Sequence, residues 1–155
     1  MMGSGQTTFA PNIVTTRGMI VTILWRLEGS PIVGGPLEYD DVKAEDWYSE
    51  SVRWADSVGV VTGYGNGKFG PNDTITREQM ATMLWRYAGS PKVDGSLSAF
   101  ADGAQTSSWA QSAMIWAVDQ GLIAGVGNDR LEPRGQAARA QSATILARFA
   151  QNMAQ

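Results

Sequence analysis

The stretch Ile75-Thr76-Arg77-Glu78-Gln79-Met80-Ala81-Thr82-Met83-Leu84-Trp85-Arg86 decides the fold, because the chain holds three versions of it. Thr15-Thr16-Arg17-Gly18-Met19-Ile20-Val21-Thr22-Ile23-Leu24-Trp25-Arg26 precedes it by 60 residues, and Ala137-Ala138-Arg139-Ala140-Gln141-Ser142-Ala143-Thr144-Ile145-Leu146-Ala147-Arg148 follows it by 62. The first two versions run on into Gly29-Ser30-Pro31 and Gly89-Ser90-Pro91. A fixed period of this kind marks a repeat architecture, in which each unit buries its apolar face only against its neighbours. Met80, Met83, Leu84 and Tyr87 recur at three- and four-residue spacings, which predicts an amphipathic helix. Thr76 stands as its N-cap, Gln79 is placed to reach back in a capping box, and Gly89 and Pro91 stop it.

The region ahead of the helix repeats twice. Tyr39-Asp40-Asp41-Val42 is matched by Phe100-Ala101-Asp102-Gly103, Trp47 by Trp109, and Trp54-Ala55 by Trp116-Ala117. Gly59, Gly63 and Gly65 are matched by Gly121, Gly125 and Gly127, and Phe69-Gly70-Pro71-Asn72 by Leu131-Glu132-Pro133-Arg134. In the first copy only Phe9-Ala10-Pro11-Asn12 remains, so the chain carries two and a half repeats. Val52, Ala55 and Val58 fall on one face of a helix from Ser49 to Val58, which Gly59 caps. The glycines between Gly63 and Asp73 are too dense for regular structure and suit tight turns with at most a very short strand. The expected fold is therefore all-α with glycine-rich loops. Residues 1–8 read as a cloning remnant or linker, 9–36 as the second half of repeat one, 37–95 as repeat two and 96–155 as repeat three, together one domain.

Composition narrows the function. With 155 residues, 43% hydrophobic and 17% charged, the chain can bury a shared core without staples. A formal charge of −3 gives no basic surplus with which to bind nucleic acid. The lack of cysteine removes a cysteine nucleophile and thiolate metal sites, and the lack of histidine removes the commonest general base and with it histidine triads and zinc hydrolases. The longest apolar run, Met19 to Trp25, is too short to span a bilayer and is broken by Thr22, so no membrane insertion is expected. No cofactor is implied. Asn66 to Asp73 lacks the acidic spacing of a calcium loop, and Asp40, Asp41, Glu45 and Asp46 read as a solvated face rather than a glycosidase pair, so no metal site is expected.

The order aromatic-x-Asp, Trp, an alanine-containing helix, Gly-x-x-x-Gly-Tyr-Gly-Asn-Gly-x-Phe-x-Pro-Asn and Ile-Thr-Arg-Glu resembles the S-layer homology repeat of bacterial cell-surface proteins. Residues 39 to 88 carry nearly every hallmark, and the resemblance covers roughly residues 9 to 150. It implies a pseudo-threefold helical bundle with projecting lobes, whose grooves bind a secondary cell-wall polysaccharide often carrying pyruvate ketals. Such a module is a non-catalytic, extracellular anchor on a Gram-positive cell surface. In the family the helix opens with Thr-Arg-Ala-Glu, and the arginine is a ligand-binding residue. Thr16-Arg17 and Thr76-Arg77 match this, as does Arg139 alone, because Ala138 stands where threonine should. The acidic position is Met19, Gln79 and Gln141, and Val126 replaces the loop tyrosine of repeat three. These departures imply unequal grooves, with the middle repeat the strongest.

The residue chemistry suits an acidic sugar. Helix N-termini present unpaired amides and the positive end of the dipole, which makes the turn after Thr76 an anion site. The Arg77 guanidinium can meet a carboxylate with two parallel hydrogen bonds. Gly63, Gly65 and Gly67, flanking Tyr64 and Asn66, let backbone amides approach a sugar, and Tyr64 is suited to stack on a pyranose face. Trp47 and Trp109 precede their helices and suit either stacking or packing. Trp25, Trp54, Trp85 and Trp116 belong to the core or a groove wall.

Other readings compete. The arginines can be surface residues or partners of Asp41 or Asp73, and Asp41 and Asp102 can cap or pair within their lobes. A helical scaffold for protein partners, with decayed glycan sites, is the alternative function, and a glycan-cleaving enzyme rests only on scattered carboxylates. The missing half-repeat predicts an exposed patch near Ile20, Ile23, Leu24 and Leu27. That patch calls for a homodimer, a swapped assembly or a preceding segment to cover it.

Overall fold

Three long helices start from one hydrogen-bonded hub, and that hub gives the repeat its geometry. The residue just ahead of each N-cap joins the next in a cycle: Ile75 N donates to Thr15 O (2.8 Å), Ala137 N to Ile75 O (3.0 Å) and Thr15 N to Ala137 O (3.1 Å). Antiparallel bridges Thr16–Thr74 and Thr76–Gln136 flank it. The cycle closes between the first and third copies, so the truncated first repeat does not open the ring.

The computed structural model describes residues 2–3, 5–6, 15–37, 39–61, 66–124 and 129–153. A two-residue hairpin, β1 (Met2–Gly3) against β2 (Gly5–Gln6), precedes five helices. The long helices are α1 (Arg17–Leu27), α3 (Arg77–Tyr87) and α5 (Arg139–Met153). The lobe helices are α2 (Ser49–Ser57) and α4 (Gln111–Asp119), and α4 is led in by 3₁₀ turns Gly103–Gln105 and Ser108–Ala110. The fold is the expected all-α bundle.

The long helices begin and end as their sequences dictate. Thr16 and Thr76 accept from the amides of Met19 and Gln79 (3.2 Å each), and the Gln79 side chain returns a bond to Thr76 N (3.0 Å). At the other end Gly29 and Gly89 adopt φ +94 and +95, and Ser30 N and Ser90 N donate back to Trp25 O and Trp85 O. The indoles of Trp25 and Trp85 lock the turn by donating to Pro31 O (2.7 Å) and Pro91 O (2.9 Å). These two tryptophans are packed against the core, and Trp54 and Trp116 lie within it.

Each lobe helix packs on the long helix that precedes it, α2 on α1 and α4 on α3. Ile20, Leu24, Val52, Phe69, Met80, Leu84, Met114 and Phe149 form one continuous core, each worth about 1.5–3 kcal/mol by burial. This order corrects the patch expected on α1. Ile20 and Leu24 are fully buried because α2 covers them, and only Leu27, at 50%, stands well exposed. Among the described residues it is α5 that carries no lobe helix. Ala143 and Thr144 are exposed, whereas Ala81 and Thr82, at the same register of α3, are buried. The apolar residues of α5 turn inward instead, where Phe149 meets Tyr87 (5.8 Å) and Trp116 (6.3 Å).

Candidate functional site

The first turns of α1 and α3 meet the closing loop of the next lobe, and this junction sets the chemistry. At α3, Arg77 N donates to Gly135 O (3.0 Å) and Glu78 N to Pro133 O (2.8 Å). At α1, Arg17 N donates to Asp73 O (3.0 Å) and Gly18 N to Pro71 O (2.9 Å). With Gln79 N and Met19 N taken by the threonine caps, the amides expected to receive an anion are already bonded. What the helix start offers a ligand is the side chain of its arginine.

Arg77 is buried, with 6% exposure. Its Nη2 donates to Gln141 Oε1 (2.7 Å), and its Nη1 lies 3.4 Å from Glu132 O and 3.6 Å from Glu132 Oε1. The Glu132 side chain is half exposed, so that ion pair is screened and weak. Gly135 makes the seat possible, since a Cβ there would lie 2.5 Å from Arg77 Nη1. Beside the guanidinium opens a cleft of about 400 Å³. Leu122, Ile123 and Ala124 beyond α4 form one wall, and Ala140, Gln141, Thr144, Ile145 and Arg148 of α5 form the other.

Arg17 is equally buried but differently held. Its Nε donates to Phe69 O (3.0 Å) and its guanidinium lies over the Phe69 ring at 4.8 Å. Arg139 is part-buried at the start of α5, whose cap, Ala138, has no hydroxyl; Gln141 Oε1 accepts from Ala138 N (3.1 Å) instead. Thr16 and Thr76 act as caps. Trp47 and Trp109 are 63% and 53% exposed, at the lobe entrances. Asn66 and Gly67 are exposed; Asn66 Oδ1 accepts from Lys68 N (3.1 Å), and Gly67 O accepts from Asp40 N (2.7 Å). Of the expected site residues described, Arg77 alone lines the cleft. Gly63, Tyr64 and Gly65 lie outside the described residues.

Aspartates clamp the loops that carry the junctions. Asp41 accepts from Phe69 N (2.9 Å) and Gly70 N (2.8 Å), and Asp102 from Leu131 N (2.8 Å) and Glu132 N (2.9 Å). The Leu131 amide, helped by Glu132 N and by Arg130 3.7 Å away, outweighs burial and holds the Asp102 carboxyl below its ordinary range. Two residues of the junction escaped sequence reasoning. Glu78, 3% exposed, accepts from Ser107 N (2.9 Å) and Ser107 Oγ (2.7 Å), pinning the entrance of the third lobe to α3. Gly135 is the other; its contact with Arg77 is distant in sequence. Among the described residues no group of three or more carboxylates could hold a metal ion, and no helix is long and apolar enough to cross a membrane.

A family profile described as the S-layer homology domain matches residues 38–81 and 99–143, more than half of the chain. The chain belongs to the S-layer homology domain family. This S-layer homology domain is similar to part of the surface-layer 125 kDa protein of Lysinibacillus sphaericus, with 31% identity over 77% of the chain and 10% of that protein. It is also similar to part of an endoglucanase of Bacillus sp. (strain KSM-635), with 31% identity over 93% of the chain and 16% of the enzyme. A third relative is an amylopullulanase of Thermoanaerobacterium thermosulfurigenes, with 30% identity over 93% of the chain and 8% of the enzyme. The chain thus spans at most 16% of the length of these relatives. S-layer homology domains are non-catalytic modules that anchor proteins to the bacterial cell wall, which places this one outside the cell, on its surface.

Proposed function

We propose that this module binds an acidic secondary cell-wall polysaccharide, one bearing pyruvate ketals, in the clefts between repeats, and so tethers a larger surface protein to the wall. One observation carries the reading: the Arg77 guanidinium forms part of a cleft wall and is held there by a neutral amide, Gln141. A charge with a neutral partner and one screened carboxylate keeps its attraction for an incoming anion. Ala124 and Ala140, with the edges of Ile123 and Ile145, supply apolar surface for the face of a sugar ring. Arg17 and Arg139, with Thr16 and Thr76 as the caps that set their position, are read as the corresponding cations of the other clefts. Gly63, Tyr64, Gly65, Asn66, Gly67, Trp47 and Trp109 are read as contacts from the lobes.

The module acts as one unit, with repeats divided at 36/37 and 95/96; the turns that close α1 and α3 support those divisions. The swapped assembly expected from the missing half-repeat keeps little support, because Ile20 and Leu24 are covered within the chain. One chain is therefore proposed as the binding unit. Co-sedimentation with purified Gram-positive wall tests the reading. Arg77→Ala should weaken binding by roughly 10- to 100-fold, the worth of one or more charge-assisted hydrogen bonds, while keeping the helical circular dichroism. Equal binding by the variant would remove Arg77 from the site. The scaffold alternative draws on the engagement of Arg17 by Phe69, and a saturable protein partner with no affinity for wall would favour it.

A further inference from the structure

Arg148 sits in the same cleft as Arg77, and the sequence reading gave it no role. Gln141, Thr144, Ile145 and Arg148 fall at i, i+3, i+4 and i+7 of α5, one continuous stripe along the helix. Gln141 touches the Arg77 guanidinium at 2.7 Å. Seven residues carry Arg148 two turns further along the same face, roughly 10 Å away along the axis. The cleft therefore has a cation near each end, with a mixed surface of Ala124, Ala140, Thr144 and the edges of Ile123 and Ile145 between them.

The structural role open to Arg148 is slight. Its side chain is exposed, and its Nη1 reaches Gly121 O only at 3.5 Å, the limit for a hydrogen bond. Among the described residues no carboxylate pairs with it. It lies mid-helix in α5, so it does not serve the C-terminal dipole of its own helix, as Arg26 and Arg86 do in the last turns of α1 and α3.

Resting on the acidic-polysaccharide reading above, we propose that Arg148 is a second anion-binding residue of this cleft, and that its ligand is a saccharide carrying two negative charges separated by about two sugar units. The surface between the two arginines holds the sugars, and each guanidinium takes one acidic group.

Titration calorimetry with two probes of equal length tests this: a saccharide with one pyruvate-ketal carboxylate and one with two, about two sugars apart. Wild type should bind the doubly charged probe about three- to tenfold more tightly, the range for a partly exposed ion pair. In Arg148→Gln that ratio should fall to near one, and Arg148→Lys should restore most of it. A thermal melt of each variant separates this from a packing role, since a residue that only caps α4 would shift the melt and leave the ratio intact. A ratio near one in wild type, or an undiminished ratio in Arg148→Gln, would overturn the proposal. If wild type bound neither probe, the acidic-polysaccharide reading itself would fail, and this inference with it.

Discussion

Replacing Phe69 by alanine should unlatch the first repeat from the second. The ring is fully buried, packs against Tyr39 at 5.6 Å and lies under the Arg17 guanidinium at 4.8 Å. Truncating a buried phenylalanine costs about 3–5 kcal/mol in lost transfer energy and cavity. Taking the ring from a guanidinium that is itself only 6% exposed adds about 1 kcal/mol. The bond from Arg17 Nε to Phe69 O involves the backbone and survives, so the total is about 4–6 kcal/mol, or a fall in melting temperature of roughly 10–20 °C for a chain of this size. Phe69→Leu, which copies Leu131 of the third repeat, should cost only about 1–2 kcal/mol. Urea unfolding followed by both tryptophan fluorescence and circular dichroism measures these losses, and the two probes should coincide because the core is continuous. A loss below about 1 kcal/mol for Phe69→Ala, or two separate transitions in the wild type, would refute the latch.

Other outcomes follow from single contacts. Gly103→Ala should destabilise the third lobe by roughly 1–3 kcal/mol, because its Cβ would collide with the Leu97 carbonyl oxygen; a melt within 1 °C of wild type would contradict this. Ser142 Oγ is buried without a partner, so Ser142→Ala should be neutral or stabilising in a thermal melt. Asp102 has a carboxyl held below its ordinary 3.8, so its contribution is full above that pH and is lost as the pH falls further; Asp102→Asn should flatten this part of the acid unfolding curve. Tyr87, partly buried and donating to Glu28 Oε1 at 2.6 Å, has its hydroxyl pushed up from 10 to about 12 by that burial and by the carboxylate. Its contribution is full below pH 10 and is lost between pH 10 and 12, where a phenolate absorbance titration should show Tyr87 ionising late; Tyr48, whose hydroxyl burial also pushes up, should join the late phase.

What could be read from the sequence was what lies close together in it. The Thr76–Gln79 box, the Gly89-Ser90 turn and the inward stripe of Met80, Met83 and Leu84 are contacts between residues three to six apart, so their residue types announce them. The phased copies then gave the all-α repeat and the arginine positions. Contacts across repeats left little trace. Glu78 looks like a solvated first-turn acid until Ser107 is folded onto it, 29 residues along the chain. Gly135 reads as one more turn glycine, although its missing Cβ is what seats Arg77. The depth of that arginine depends on the 131–135 loop folding over it, and occupation of the helix-start amides depends on the same loop. The missing half-repeat misled for a related reason. Lobes dock on the preceding long helix, so among the described residues the uncovered face belongs to α5 and not to α1.

Crystallisation with a pyruvylated wall saccharide tests the central claim most directly. The ketal carboxylate should lie about 2.7–2.9 Å from the Arg77 guanidinium, between α5 and the segment 122–124, with the Gln141 contact kept or traded for the ligand. A saccharide bound at full occupancy elsewhere on the module, with Arg77 still closed against Gln141 and Glu132, would contradict it.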